Sequence, residues 1–166
     1  MSRAFVKEND LEHAGIDVPE RPISSEKNYV TPNGLMELEE KISNLEEERT
    51  KSSLTSDSIN KQKKMQLERD LRYFINRLES AILVNPHEQD KNKVLFYASV
   101  DVENELGEIL NFQIVGEDEA DVKINKIAYN SPLAKALIGN ALDDEVVWMK
   151  PSGDETLTIV NIQYKL

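Results

Sequence analysis

Ile114–Gly139, IVGEDEADVKINKIAYNSPLAKALIG, is the stretch whose reading decides the fold. An acidic loop, a short strand and a capped helix follow one another in it. Ser131 can accept from the free N–H groups of a first turn, and Pro132 suits the first helical position. Leu133, Leu137 and Ile138 then form an apolar stripe, and Gly139 supplies the left-handed stop. The acid run Glu117-Asp118-Glu119 with Asp121 lacks the glycine-spaced ligands of a calcium loop, so it reads as a solvated turn.

Upstream the pattern turns helical. Thr31 and Pro32 make an N-cap and first turn, and Glu37, Glu39 and Glu40 lie near the positive end that follows. Leu35, Leu38, Ile42 and Leu45 recur at the spacing of a coiled-coil seam; Leu67, Leu71, Phe74 or Ile75, Leu78 and Ile82 make a second one. Paired antiparallel, Leu45 with Leu67, Ile42 with Leu71, Leu38 with Ile75 and Leu35 with Leu78, their position numbers add to 112 or 113. A constant sum is what one hairpin register requires, with its turn at Ser56–Asp57. Leu54 and Ile59 give the same sum and are expected to close the last apolar layer. The spacing therefore predicts a monomeric helical hairpin over residues 31–84, preceded by a flexible tail, 1–30. In that tail Val18–Ile23, VPERPI, is able to lie extended against the hairpin or against a partner.

Residues 85–93, NPHEQDKNK, read as a polar linker to a second unit, 94–166. There Val94, Phe96, Ala98, Val100 and Val102 alternate with polar positions as in a half-buried strand. Ile109–Val115, Glu145–Lys150 and Thr156–Tyr164 add strands, so a small antiparallel sheet with one helix is expected. The fold class is α+β.

Composition excludes more than it assigns. The chain has no Cys, which removes thiolate chemistry, and His13 and His87 fall in the tail and linker. No phosphate loop or HExxH motif appears, no apolar run could span a bilayer, and the first residues lack a signal-peptide core; the chain reads as cytoplasmic. The net charge of −11 argues against binding to bare nucleic acid. Yet residues 49–64 carry five basic side chains against one acid, at the expected hairpin tip.

The run VG-E-D-EAD at Val115–Asp121, followed by NSPLAKALIG at Asn130–Gly139, resembles the GreA/GreB family of transcription elongation factors. YVTPNGLMELEEKI, from Tyr29, is similar to the opening of that family's first helix. The resemblance implies an FKBP-like sheet domain and a coiled-coil arm that enters the secondary channel of RNA polymerase. In cleavage factors the arm brings carboxylates to the polymerase's magnesium, so any hydrolysis belongs to the polymerase. The FKBP-like fold also raises prolyl isomerisation, but strand alternation sends the aromatic rings it needs into the core.

The family's tip motif resembles GDLxENAEY. Laid on this chain by the hairpin midpoint, it meets Asp57 at one acidic position. Asn60 replaces the partner Glu, and Lys63 and Lys64 replace the remaining Glu and Tyr. The resemblance thus implies weak or absent stimulation of cleavage. Asp57 either reaches magnesium or caps the second helix. Arg49, Lys51, Lys61, Lys63 and Lys64 contact RNA phosphates or acidic polymerase residues inside the channel, or are simply solvated. Docking on the polymerase is expected at Asn130, Ser131, Pro132 and Leu133. No cofactor of the chain's own is implied, and RNA or DNA is met only within the polymerase complex. The alternatives are a non-cleaving competitor of other channel factors and a coiled-coil scaffold.

Overall fold

The computed structural model describes residues 18–54 and 58–165, with side chains omitted at 58–60. A short strand β1 (Tyr29–Val30) leads into helix α1 (Pro32–Ser52), and α2 (Ser58–Glu79) returns beside it to strand β2 (Ile82–Leu83). Thr31 caps α1, its hydroxyl oxygen accepting from the Gly34 N–H at 2.9 Å, with Pro32 at the first position.

The hairpin seam follows the expected register over most of its length. Leu45, Leu67 and Leu71 form its buried cluster, with Ile42 and Phe74 packed against them, and Leu38 is buried below. Three expectations need correction. At the layer of Leu38 it is Phe74 that turns inward, while Ile75 is 39% exposed. Phe74 packs on the Leu45, Leu67 and Leu71 cluster, and its helical neighbour Ile75 faces outward. Leu54 is 84% exposed and closes no layer, α1 having ended at Ser52; the side chain of Ile59 lies outside the described residues. Ile82 is not a seam residue either. It stands in β2, which pairs in parallel with β1, Tyr29 opposite Ile82 and Val30 opposite Leu83.

The second unit is a five-stranded sheet in the order β5-β4-β3-β7-β6: β3 (Ser99–Asn104), β4 (Ile109–Val115), β5 (Lys126–Ala128), β6 (Glu145–Trp148) and β7 (Glu155–Gln163). Its short helix α3 (Pro132–Leu137) buries Leu133, Ala134 and Leu137 against the sheet. Ser131 caps that helix and Gly139 takes a φ of 90° just beyond it. The sheet is mixed rather than antiparallel, because β4 and β5 run parallel. The acidic loop between them carries the chain back across the strand ends, the crossover that a parallel pair requires.

The alternation from Val94 to Val102 is not one strand. β3 begins only at Ser99, because Tyr97 adopts a φ of 79° and bends the chain. The Tyr97 N–H donates to the Ile114 carbonyl, and the Ile114 N–H donates to that of Ala98, so this bend is tied to β4. Val94, Phe96, Tyr97 and Ala98 are all buried nonetheless. Burial, with only these local bonds to β4, produced the strand-like pattern.

Candidate functional site

The acidic loop is neither a solvated turn nor a cation site. It is the joint of the arm. Arg77, at the base of α2, is 1% exposed and donates from Nη2 to Glu117 at 2.9 Å and from Nε to Asp118 at 2.5 Å. The Tyr73 hydroxyl donates to the same Asp118 at 2.7 Å. Glu119, 8% exposed, accepts from the Thr31 hydroxyl, the residue that also caps α1, and lies 3.4 Å from the Lys126 Nζ. A carboxylate buried this far must be paired, and it is.

The glycines at this joint have a steric reason. A Cβ on Gly34 would come within 2.6 Å of Glu119 Oε2, and one on Gly116 would meet the Tyr29 carbonyl oxygen at 2.5 Å. The acidic loop therefore meets β1 through backbone, and it meets the helix start through the Glu119 side chain. The charge network shows in the titration too. Burial, then the hydrogen bond to Asp118, pushes the Tyr73 phenol up to about 12. Burial lowers the Arg77 value, yet Asp118 and the neighbouring charges raise it further, so the guanidinium stays charged.

Residues 18–30, expected as a tail, lie along α2 where they are described. Glu20 pairs with Arg72, and the Arg21 guanidinium sits 3.8 Å above the centre of the Tyr73 ring and 3.6 Å from Asp70. Asn28 donates to the Arg77 carbonyl at 2.6 Å, and Tyr129 donates its hydroxyl to the carbonyl of Lys27. The ring of Tyr29 packs edge-on to Tyr129 and tilted against Phe96. No periodicity marks these contacts, since each uses a different chemistry.

The residues expected at the tip fare differently. Asp57 and the side chain of Asn60 lie outside the described residues. Lys61, Lys63 and Lys64 are exposed on the first turns of α2, as are Arg49 and Lys51 at the end of α1. Lys51 pairs with Glu47 at 2.9 Å; the other four have no ion pair with any described residue. Among the described residues no cluster of His, Asp or Glu could hold a metal. The described side chains at this end of the arm are ammonium and guanidinium groups, and the expected donor Asp57 is not among them.

At the expected docking loop the four residues split. Pro132 is exposed, Ser131 caps α3, Leu133 is buried in the core, and Asn130 donates its amide to Glu117, inside the joint. Ser131, Pro132 and Leu133 nonetheless border a cavity of about 340 Å³ whose other walls are Phe112, Val122, Asn125, Ile127 and Trp148. Phe112 and Trp148 meet edge to face at 6.0 Å there, and Val122 at its rim is 82% exposed.

Residues 88–164 match the family model described as Transcription elongation factor, GreA/GreB, C-term. The chain is 34% identical over 155 residues to transcription elongation factor GreB of Haemophilus ducreyi, spanning 84% of this chain and 96% of that one. The chain belongs to the GreA/GreB family. It is also 42% identical over 104 residues to GreB of Pseudomonas aeruginosa, covering 61% of this chain and 62% of that one. With GreA of Sphingopyxis alaskensis it shares 36% over 104 residues, 63% of this chain and 66% of that one. Among solved structures, Prokaryotic transcription elongation factor GreA/GreB from Nitrosomonas europaea is 23% identical, with 84% and 99% coverage and a TM-score of 0.42. As a Gre-family protein the chain is a transcription elongation factor, and its VGEDEAD run is the part of the sheet domain that grips the arm.

Proposed function

We propose that this Gre-family chain binds RNA polymerase with its sheet domain and inserts the hairpin arm into the secondary channel. There it regulates elongation or the rescue of arrested complexes while stimulating transcript cleavage weakly or not at all. The observation that carries this reading is the exposed basic end of an arm braced at its base by Arg77, Glu117, Asp118 and Glu119. A braced arm delivers its end to one place; lysines there bring the wrong charge for holding a second magnesium. The chain has no hydrolytic centre of its own in this reading, needs no cofactor, and acts as a monomer in the cytoplasm. It meets nucleic acid only inside the polymerase complex.

Docking is proposed at the cavity beside Ser131 and Pro132, where Phe112 and Trp148 offer an apolar slot for a partner side chain. Asn130 supports it indirectly through Glu117, and Leu133 holds α3 in place from the core. The same basic arm end favours a second reading, a non-cleaving occupant that competes with other channel factors. Capture of core RNA polymerase by the full chain, followed by a transcript-cleavage assay on a stalled complex, tests both. Absence of binding removes the whole reading. Binding with strong magnesium-dependent cleavage removes only the weak-cleavage part.

A further inference from the structure

Arg77 and Thr31, the two arm residues that the acidic loop holds, both lie at the foot of the hairpin. Contacts at a foot resist a swing weakly, because the lever beyond them is long. From Arg77 to Gln62 is 15 helical residues, about 22 Å, so a swing of about 10° carries that end about 4 Å sideways.

The strap over residues 18–30 adds a hold higher up. Its contacts rise in step with α2: Glu20 meets Arg72, Asn28 meets Arg77 and Ser80, and Tyr29 pairs with Ile82. It therefore runs parallel to α2. Its outer end grips the helix at Tyr73, Arg72 and Asp70, four to seven residues or about 6–10 Å beyond Arg77. Its inner end is fastened to the sheet domain, where Tyr129 donates its hydroxyl to the Lys27 carbonyl and the ring of Tyr29 lies against Tyr129 and Phe96. One short segment thus ties the flank of the arm to the other unit.

The two ends are held by different chemistry. Asn28 and Val30 are buried, and β1 pairs with β2 through backbone. Glu20 and Arg72, in contrast, keep 64% and 56% of their side chains exposed. Salt screens an exposed pair and leaves buried contacts almost untouched, so the outer end lets go first. The Arg21 guanidinium lies 3.8 Å from the centre of the Tyr73 ring, and the Tyr73 hydroxyl donates to Asp118, which also holds Arg77. A change at Arg21 therefore reaches the joint through one side chain.

We propose that residues 18–27 are a latch on the arm: Glu20 and Arg21 are positioning residues that hold it at one angle to the sheet domain, and their release lets it swing. Any partner whose charges compete for Glu20 or Arg72 frees the arm as salt does. The latch is a property of the chain alone and stands whether or not the polymerase reading does.

The test uses the full chain. Because the chain contains no Cys, Gln62→Cys on the arm and Glu105→Cys in the turn between β3 and β4 each take one nitroxide label, both at exposed positions. Pulsed electron spin resonance should give the parent one narrow distance distribution at about 0.1 M salt. At about 1 M, where charges are screened beyond ~3 Å, that distribution should widen by up to about 4 Å. Glu20→Ala with Arg21→Ala should show the wide distribution at both salt concentrations. Glu47→Ala with Lys51→Ala removes an ion pair of the same arm away from the strap and should leave the distribution narrow. Arg72→Glu alone should widen it, and adding Glu20→Arg should narrow it again. The proposal is overturned by a parent distribution already wide at low salt or unmoved by high salt, or by a Glu20 and Arg21 variant as narrow as the parent. Equal widening by both alanine pairs, or a swapped pair that stays wide, overturns it as well. Unchanged amide shifts of residues 99–163 and unchanged helix content show that each variant keeps its fold.

Discussion

Arg77 shows how one side chain sets the attitude of a whole arm. Its guanidinium is fully enclosed, yet Glu117 and Asp118 keep 20% and 15% of their side chains exposed. Arg77→Met leaves two carboxylates facing each other without a counter-charge. Removing one partner of a wholly buried pair costs about 3–5 kcal/mol, and partial hydration of these two should bring the loss nearer 2–3 kcal/mol. Hydrogen exchange at the base of α2 and in β1 should report that loss, with little change in the core of the sheet. Tyr73, bonded to the same Asp118, gives the joint an alkaline limit. Its phenol, at about 12 in the fold against about 10 in an unfolded chain, favours the neutral form in the native state. That stabilisation is complete below about pH 10 and is lost as the pH rises through the folded value. Tyr73→Phe should therefore flatten the decline in arm stability between about pH 10 and 12, measured as thermal midpoint against pH.

Elements were legible in the sequence where a single period dominates. The seam Leu38, Ile42, Leu45, Leu67 and Leu71 lies where the constant position sum puts it, because each layer needs one apolar pair and little else. Near the base that rule gives way: Phe74 and Ile75 are both apolar and adjacent, so spacing alone does not choose the one that packs inward. The capped helix after Ser131 was legible for the same local reason. The clamp was not, since Glu117, Asp118 and Glu119 look like any acidic turn until Arg77 and Thr31 arrive from more than 39 residues away. The parallel β5 and the bend at Tyr97 were hidden likewise, one set by where the loop returns and the other by backbone rather than side chain. Leu71→Glu tests the seam as an element. It buries a carboxylate beside Leu45 and Leu67 and should loosen the hairpin while residues 94–165 keep their exchange protection. If the sheet unfolds with the hairpin, the two units are one cooperative body.

Across the whole molecule, charge separates two tasks. The sheet domain is acidic, with 13 acids against five bases in residues 94–166, while the end of the arm is basic. Docking is checked by Pro132→Ala with Val122→Glu. Both positions are exposed beside the cavity and outside the clamp, so polymerase binding should weaken without a shift in thermal midpoint. Asn130→Lys is unsuitable for this purpose, because it would sever the bond to Glu117 inside the joint.

The arm end permits the sharpest test at this scale. Residues 49–64 carry a net charge of +4, and Asn60→Glu with Lys63→Glu lowers it to +1. If ligand chemistry is all that separates this chain from a cleavage-stimulating relative, the double variant should acquire transcript cleavage on a stalled complex. Asp57→Ala in that background should then remove the gain. If instead the arm holds its end out of place, the added carboxylates will not help, since a displacement of about 1 Å can cost roughly 100-fold in rate. Polymerase affinity separates the outcomes: the variant must bind as the parent does for its inactivity to indict geometry. Because the joint at Arg77 fixes where the arm points, Arg77→Met in the active variant should lower cleavage without touching a single ligand.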